Sequence, residues 1–341
     1  MTNNRHLYVD IAKCLAIFLV IVNHTNSQIF LSLSPSITWF ASVTYFYACR
    51  VAVPVFIMAT GIVLLSRNDS YSTHAKRLLR ILVVLAVFSV FYSYVNNGIP
   101  KSINDTFEIF LHLVSQPSTN ALWYLYLYVC IILAMPFLQK LLVALTKKDV
   151  EIFLVGTIFV FGLCYMIVYL FGIRPYANIN ITIYSYPIMY LFAGYYIHNH
   201  LEVGRNLLLL AVSGFILSVF FGVAALYLQR DVAYNVSLLV SNLETINIAI
   251  ESVSFLYIVK CISHAFQHEK ALSIFSSLAM CVFGVYLISD FVLVRSLPVY
   301  IFLKEYMNPI IACIIWQITI LAICFPLVWV ARKIPVVRKY I

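Results

Sequence analysis

Long apolar runs separated by short polar ones fill the chain from near its start to near its end. Runs able to cross ~30 Å of hydrocarbon fall near 11–31, 44–65, 78–95, 121–142, 152–172, 182–199, 206–228, 237–261, 277–295 and 309–331. The third and sixth are the shortest. Lipid offers no partner for a free backbone N–H or C=O, so each run predicts a helix. The expectation is an all-α integral membrane protein of about ten transmembrane helices, with residues 1–341 as one membrane-embedded domain. The first run exceeds a signal-peptide h-region and no small-residue cleavage site clearly ends it, so it reads as a retained helix.

Charge orients these runs. Fifteen Lys and Arg residues fall in one alternating set of loops and ends, among them Arg67, Lys76, Arg77, Arg80, Lys140 and Arg332. Five fall in the other set: Lys101, Arg174, Arg230, Arg295 and Lys304. This bias predicts both termini in the cytoplasm. The net charge of +9 is thereby a matter of topology, and no nucleic-acid partner is needed to explain it. With 63% hydrophobic and 10% charged residues, against about 25% charged in a soluble domain, the class is not in question. The eight cysteines are scattered with no Cys-x-x-Cys pair, which gives neither a metal nor a redox signature. No Gly-rich phosphate loop suggests an ATP-driven process.

The candidate chemistry lies inside the runs. Lys13 and His24 are eleven residues apart, or three turns plus about 20°, so they share one helix face about 16 Å apart. Asp10 joins that face one turn earlier. An ionisable residue at such depth is a functional-site candidate by default. By the predicted topology Asp10 and Lys13 lie near the cytoplasmic mouth, while His24 and Arg50 lie at similar depth in the outer half. The eighth run carries Ser241, Glu244, Asn247 and Glu251 as a polar stripe, which is either an interior seam between helices or the lining of a site. Asp290 is a lone carboxylate with Arg295 a turn or so beyond. Asp10 and Lys13 at i, i+3 also have a plainer role, neutralising each other. The Lys76-Arg77-Leu78-Leu79-Arg80 cluster reads either as a topology signal touching lipid headgroups or as a site for a phosphorylated cytoplasmic substrate. Trp123-Tyr124-Leu125-Tyr126 fits an interfacial aromatic belt. From the residues alone a transporter with a proton relay and an enzyme acting across the membrane both remain open.

Several segments resemble the membrane acyltransferase-3 family, in the family's order. They are Asp10 and Lys13 followed by His24; Arg50-Val51-Ala52-Val53-Pro54-Val55-Phe56 with Thr60-Gly61; Lys76-Arg77-Leu78-Leu79-Arg80; Leu122-Trp123-Tyr124-Leu125 with Pro136; Gly194-Tyr195-Tyr196; and Phe283-Gly284-Val285-Tyr286-Leu287-Ile288. The chain departs from the family where Ser289 and then Asp290 follow that last segment in place of the usual His, and where Thr60 replaces a Ser.

The resemblance implies an O-acyltransferase of the bacterial cytoplasmic membrane. It would move an acyl group, most simply acetyl, from cytoplasmic acyl-CoA to a hydroxyl of a cell-envelope glycan. Acyl-CoA is then a co-substrate, with no permanently bound cofactor and no metal, and the partners are the glycan and the bilayer. On this reading His24 is the general base and Arg50 steadies the oxyanion. Lys76, Arg77 and Arg80 bind CoA phosphates, with Asp10 and Lys13 at the start of the acyl arm's path. Trp123, Tyr124, Glu244, Glu251, Ser289, Asp290 and Arg295 are candidates to line the site. The competing expectation is a polysaccharide exporter or other transporter using the Lys13/His24 and Glu244/Glu251 faces, although no internal repeat of the transporter kind is visible.

Overall fold

The computed structural model describes residues 6–98, 102, 111, 116–171, 185–229, 242–265 and 269–341. The principal helices are α1 (Leu7–Phe30), α2 (Ile37–Ala48), α3 (Ala52–Thr60), α4 (Tyr71–Asn97), α5 (Trp123–Ala144), α6 (Lys147–Val155), α7 (Gly162–Leu170) and α8 (Tyr186–His200). They continue as α9 (Arg205–Gln229), α10 (Ile246–Ala265), α11 (Glu269–Leu303), α12 (Pro309–Ala331) and α13 (Pro335–Tyr340). Wider π-type turns, Gly61–Leu65 after α3 and Gly156–Phe161 between α6 and α7, carry those helices onward. Among the described residues, nine helical stretches are long and apolar enough to cross a membrane. The chain is an all-α, multi-pass membrane protein.

Several boundaries differ from the sequence expectation. The run at 182–199 is α8, whose 15 described residues span only about 22 Å at 1.5 Å per residue; residues 172–184 before it lie outside the described set. The run at 78–95 proves longer, because Ser70 caps α4 by accepting the Thr73 N–H and the helix begins with polar turns at Tyr71. Lys76, Arg77 and Arg80 are thus helical, not in a loop. The ninth run, 277–295, likewise extends in both directions as the 35-residue α11. The eighth begins later than expected, at Ile246, so Glu244 sits in the turn before α10 and the stripe starts at Asn247; Ser241 is outside the described residues.

The run at 44–65 is broken. α2 stops at Ala48 and α3 starts at Ala52, and Pro54 supplies the reason. It has no N–H to give the Arg50 carbonyl, and its ring clashes with that carbonyl in a continuous helix. In lipid the freed backbone groups need new partners. Asn23 of α1 supplies one, donating Nδ2 to the Cys49 carbonyl at 2.6 Å while also bonding the Leu19 carbonyl at 3.0 Å. One turn on, Asn26 donates to the Ser42 carbonyl at 2.6 Å and accepts from the Ser42 hydroxyl at 3.0 Å.

α1 lies at the centre, packed against α2, α3, α10, α11 and α12, with Ala12, Ala16, Ile17, Ile21 and Val22 fully buried. The tightest seam is between α3 and α8. A Cβ on Gly61 would fall 2.8 Å from the Leu191 carbonyl carbon, and one on Gly194 would fall 2.7 Å from that of Met58. Each backbone therefore needs the other's missing side chain, the small-residue packing expected between membrane helices.

Candidate active site

A cavity of about 310 Å³ opens beside α1. Lys13 and His24 both line it, as their spacing requires. Arg80 of α4 stands at the same end as Lys13, while Trp123 and Tyr124 of α5 lie toward the His24 end. Arg80 is also exposed to solvent, so the cavity reaches the surface there. Between the polar ends the wall is apolar and aromatic, with Val20, Phe56, Val282 and Phe283. Along α1 the separation of Lys13 from His24 is about 16 Å.

The aromatic wall is held in place. The Tyr124 ring centroid is 5.8 Å from that of Tyr286, edge-on, and 6.0 Å from that of Tyr128, stacked. Tyr286 donates its hydroxyl to the Ala121 carbonyl at 2.5 Å. Thr60 turns its hydroxyl onto the Phe56 carbonyl of its own helix at 2.9 Å and is also in hydrogen-bonding contact with Tyr128 across the wall. None of Thr60, Tyr128 and Tyr286 was singled out for the site by sequence reasoning, though the i, i+4 spacing of Tyr124 and Tyr128 was a visible signal.

Arg50 does not line the cavity. It sits behind His24, its guanidinium 5.3 Å over the Phe46 ring and Nη1 3.4 Å from Asn23 Oδ1. It remains within electrostatic reach of His24, as does the Asp290 carboxylate. Asp290 accepts a hydrogen bond from the Thr119 hydroxyl. Arg295, a turn or so beyond Asp290, forms no ion pair with it: Arg295 is exposed and lies over the Phe291 ring at 5.7 Å. Ser289 is buried and bonds the Tyr286 carbonyl at 3.1 Å, away from the cavity. Close by, the Tyr92 hydroxyl enters the α11 ladder. It donates to the Leu287 carbonyl at 2.9 Å and accepts from the Phe291 N–H at 3.2 Å.

The other predicted residues are dispersed. Asp10 is buried but off the cavity. Lys76 is exposed and does not line this cavity. Arg77 is committed to Asp69, Nη1 to Oδ2 at 2.6 Å. That hydrogen bond holds the Asp69 carboxyl below the ordinary carboxylate range. Glu251 is fully buried, and neither of its carboxylate oxygens has a hydrogen-bond partner among the described residues; Arg50 is within electrostatic reach. Asn247, one turn earlier, likewise has both amide atoms unpartnered. Glu244 and Glu251 therefore do not join the Lys13–His24 face. Among the described residues no group of three His, Cys, Asp or Glu side chains is placed to hold a metal ion.

The fold and site define a multi-pass membrane protein with a cavity along its central helix that opens at one end. The chain belongs to the acyltransferase-3 family: that family's profile, described as an acyltransferase domain, matches residues 6–332, nearly the whole length. It is a membrane acyltransferase. No curated protein and no solved structure matches it significantly.

Proposed function

We propose that this protein moves an acyl group, most simply acetyl, from cytoplasmic acyl-CoA to a hydroxyl of a cell-envelope glycan, in the cytoplasmic membrane of a bacterium. One observation carries the reading: a single cavity joins Arg80 and Lys13 at one end to His24 at the other. Its apolar wall suits an acyl-pantetheine arm, whose reach is on the order of half the ~30 Å hydrocarbon thickness. Arg80 meets donor phosphates as a fixed cation. The thioester carbonyl then comes to rest beside the imidazole.

His24 acts as general base, the role suited to an imidazole that is neutral near physiological pH. Its ring nitrogen takes the proton of the acceptor hydroxyl as the oxygen bonds the thioester carbon. The C–S bond of the tetrahedral adduct then breaks, and the imidazolium returns the proton to the departing CoA thiolate. Atoms and charge balance within the site, and no external proton is consumed. Arg50 favours the developing oxyanion by its charge alone, one layer behind the ring, and Asp290 favours the imidazolium.

Ester-linked acyl groups on envelope glycans, measured in cells with and without the protein, test the activity. His24→Gln should lower the acylation rate by about 10²- to 10⁴-fold while the purified protein keeps its elution profile. Acylation at the normal rate by that variant removes His24 from the chemistry. Arg50→Gln should lose much of the activity, since it removes the charge behind the ring, and normal activity in that variant takes Arg50 out of the mechanism.

A further inference from the structure

The basic cluster of α4 offers a phosphorylated donor less than its sequence suggests. Arg77 is paired with Asp69, Lys76 does not line the acyl channel, and Arg80 is the one member of the cluster that does. CoA carries several phosphate charges at the end remote from its thioester, and one arginine is a poor match for them. A second cavity lies on the same end of the bundle, about 510 Å³ in volume, lined by Arg67, Asn68, Ser70, Tyr71, Gln139 and Lys140 among others. Only the turn Gly61–Leu65 separates the two: Leu64 lines the acyl channel and Leu65 lines the second cavity.

This second cavity is a built site. Its floor is Gln139, buried at 6% exposure, which donates to the Leu64 carbonyl at 2.7 Å and bonds His74 Nε2 at 3.1 Å. Gln139 also accepts from the Asp69 N–H at 3.4 Å. The one acidic side chain in the lining, Asp69, is neutralised by Arg77 at 2.6 Å. Arg67 and Lys140 therefore leave the cavity net positive. The N-terminus of α4 opens onto it at Ser70 and Tyr71, which adds free N–H groups and the positive end of a helix dipole. Tyr71 presents a ring 62% exposed, with Lys140 Nζ held 4.8 Å from its centroid and 2.6 Å from its hydroxyl. Cations, a helix N-terminus, amides and an exposed aromatic ring together match a phosphorylated nucleotide.

We propose that this cavity receives the phosphorylated adenine-nucleotide end of the donor, with Arg67 and Lys140 as its cations, while the pantetheine arm passes Arg80 into the channel toward His24. The proposal rests on the acyl-CoA reading above. Its chemistry, a phosphate ester beside an aromatic face, is shared in part by anionic lipid headgroups at the same membrane surface.

The test uses purified full-length protein in nanodiscs of neutral lipid. The probes are acetyl-CoA, adenosine 3′,5′-bisphosphate, and phosphatidylglycerol added to the disc. A ligand that binds only the folded state raises the melting temperature. Acetyl-CoA and the bisphosphate should both stabilise the wild type and Arg80→Ala, and the bisphosphate should fail to stabilise the double variant Arg67→Ala/Lys140→Ala. Both substituted positions are exposed, so the double variant should fold. Its KM for acetyl-CoA should rise about tenfold, the scale of lost charge-assisted contacts. If acetyl-CoA stabilises the wild type but the bisphosphate does not, or stabilises the double variant equally, the nucleotide site is refuted and the donor reading stands. Stabilisation by phosphatidylglycerol alone, lost in the double variant, makes it a headgroup site and also refutes the proposal. If neither acetyl-CoA nor the bisphosphate has any effect, the donor reading itself fails.

Discussion

Gly61 and Gly194 are the most exposed points of the architecture to a single added carbon. A methyl group on Gly61 would sit 2.8 Å from both the Leu191 carbonyl carbon and its Cα. Favourable carbon contact begins at about 3.5 Å, so α3 and α8 must part by roughly 0.7 Å to relieve these carbons and by more to clear the Leu191 carbonyl oxygen, which lies nearer still. The obstacle is backbone, which cannot rotate aside as a side chain would. Overpacking of this kind costs about 1–3 kcal/mol. Gly194→Ala faces the same obstacle in the Met58 backbone and should cost a similar amount. Both sit on one seam, so the double variant should cost less than the sum of the two, because the first separation makes room for the second methyl. The shift also reaches the candidate site: Thr60, Val63 and Leu64, which flank Gly61, line the cavity shared by Lys13 and His24. Gly156→Ala is the control. Its Cβ would meet nothing within 4 Å, and helical Ala is favoured over Gly by up to about 1 kcal/mol. Thermal unfolding of the purified protein should show Gly61→Ala and Gly194→Ala melting lower and Gly156→Ala melting equally or higher. Wild-type melting by Gly61→Ala, or an equal loss in Gly156→Ala, refutes the close-packing argument.

Three further expectations follow from named contacts. Asn23→Leu leaves the Cys49 carbonyl, now bonded at 2.6 Å, with only the longer 3.3 Å bond from the Ala52 N–H, at a cost of about 0.5–1.5 kcal/mol; an unchanged melting temperature would show that the break needs no clamp. The Arg77 hydrogen bond lowers the folded-state pKa of Asp69 below its unfolded value of about 3.9, so this stabilisation is present above about pH 4 and lost as pH falls through the folded pKa. Asp69→Asn should flatten that acid limb in a melting-temperature profile, and an identical limb in the variant sinks the assignment. Arg80 Nε and Nη2 each lie 3.1 Å from the Tyr340 carbonyl in α13, beyond the stretch matched to the family, which ends at residue 332. Deleting residues 335–341 frees that guanidinium and should lower KM for acetyl-CoA severalfold, whereas an unchanged KM means the contact does not compete with the donor.

The helix-borne part of the site was legible because helix periodicity is local. Eleven residues between Lys13 and His24 sufficed to put both on one face, and the cavity lies along that face. The break before α3 was also written in the chain, since Pro54 excludes the Arg50 carbonyl from a continuous helix, although the run at 44–65 reads as uninterrupted by hydropathy alone. Pairing between distant elements left no such trace. Nothing near Gln139 marks it as the floor of a cavity built from α4 and α5. Nor does anything near Tyr92 announce a hydroxyl inserted between Leu287 and Phe291, almost two hundred residues on. Arg77 was indistinguishable from Arg80 by sequence, and only the position of Asp69 separates a structural ion pair from a cation at the channel mouth. Hydropathy also misplaced Glu244, because a polar turn abutting a helix start averages into the run beside it.

The aim of His24 follows from its neighbours on α1 more than from any contact of its own. Successive residues on a helix point about 100° apart, and residues 23 to 26 divide their polar groups accordingly. Asn23 and Asn26 face α2, bonding the Cys49 and Ser42 carbonyls, while Thr25 accepts from Gln317 Nε2 of α12 at 2.8 Å. Gln317 in turn accepts from the Tyr45 hydroxyl at 2.8 Å. With three of the four positions anchored to α2 and α12, the remaining direction is the cavity, and His24 takes it. Rotating α1 by one residue would break all three anchors at once, leaving the Cys49 carbonyl with only the Ala52 N–H at 3.3 Å and Gln317 Nε2 with only the Cys313 sulfur at 3.1 Å. The imidazole is therefore oriented by residues that touch neither donor nor acceptor, and by a break in α2–α3 that supplies the carbonyl Asn23 needs. Pro54, with no polar side chain and no place on the reaction path, becomes a determinant of where the base points.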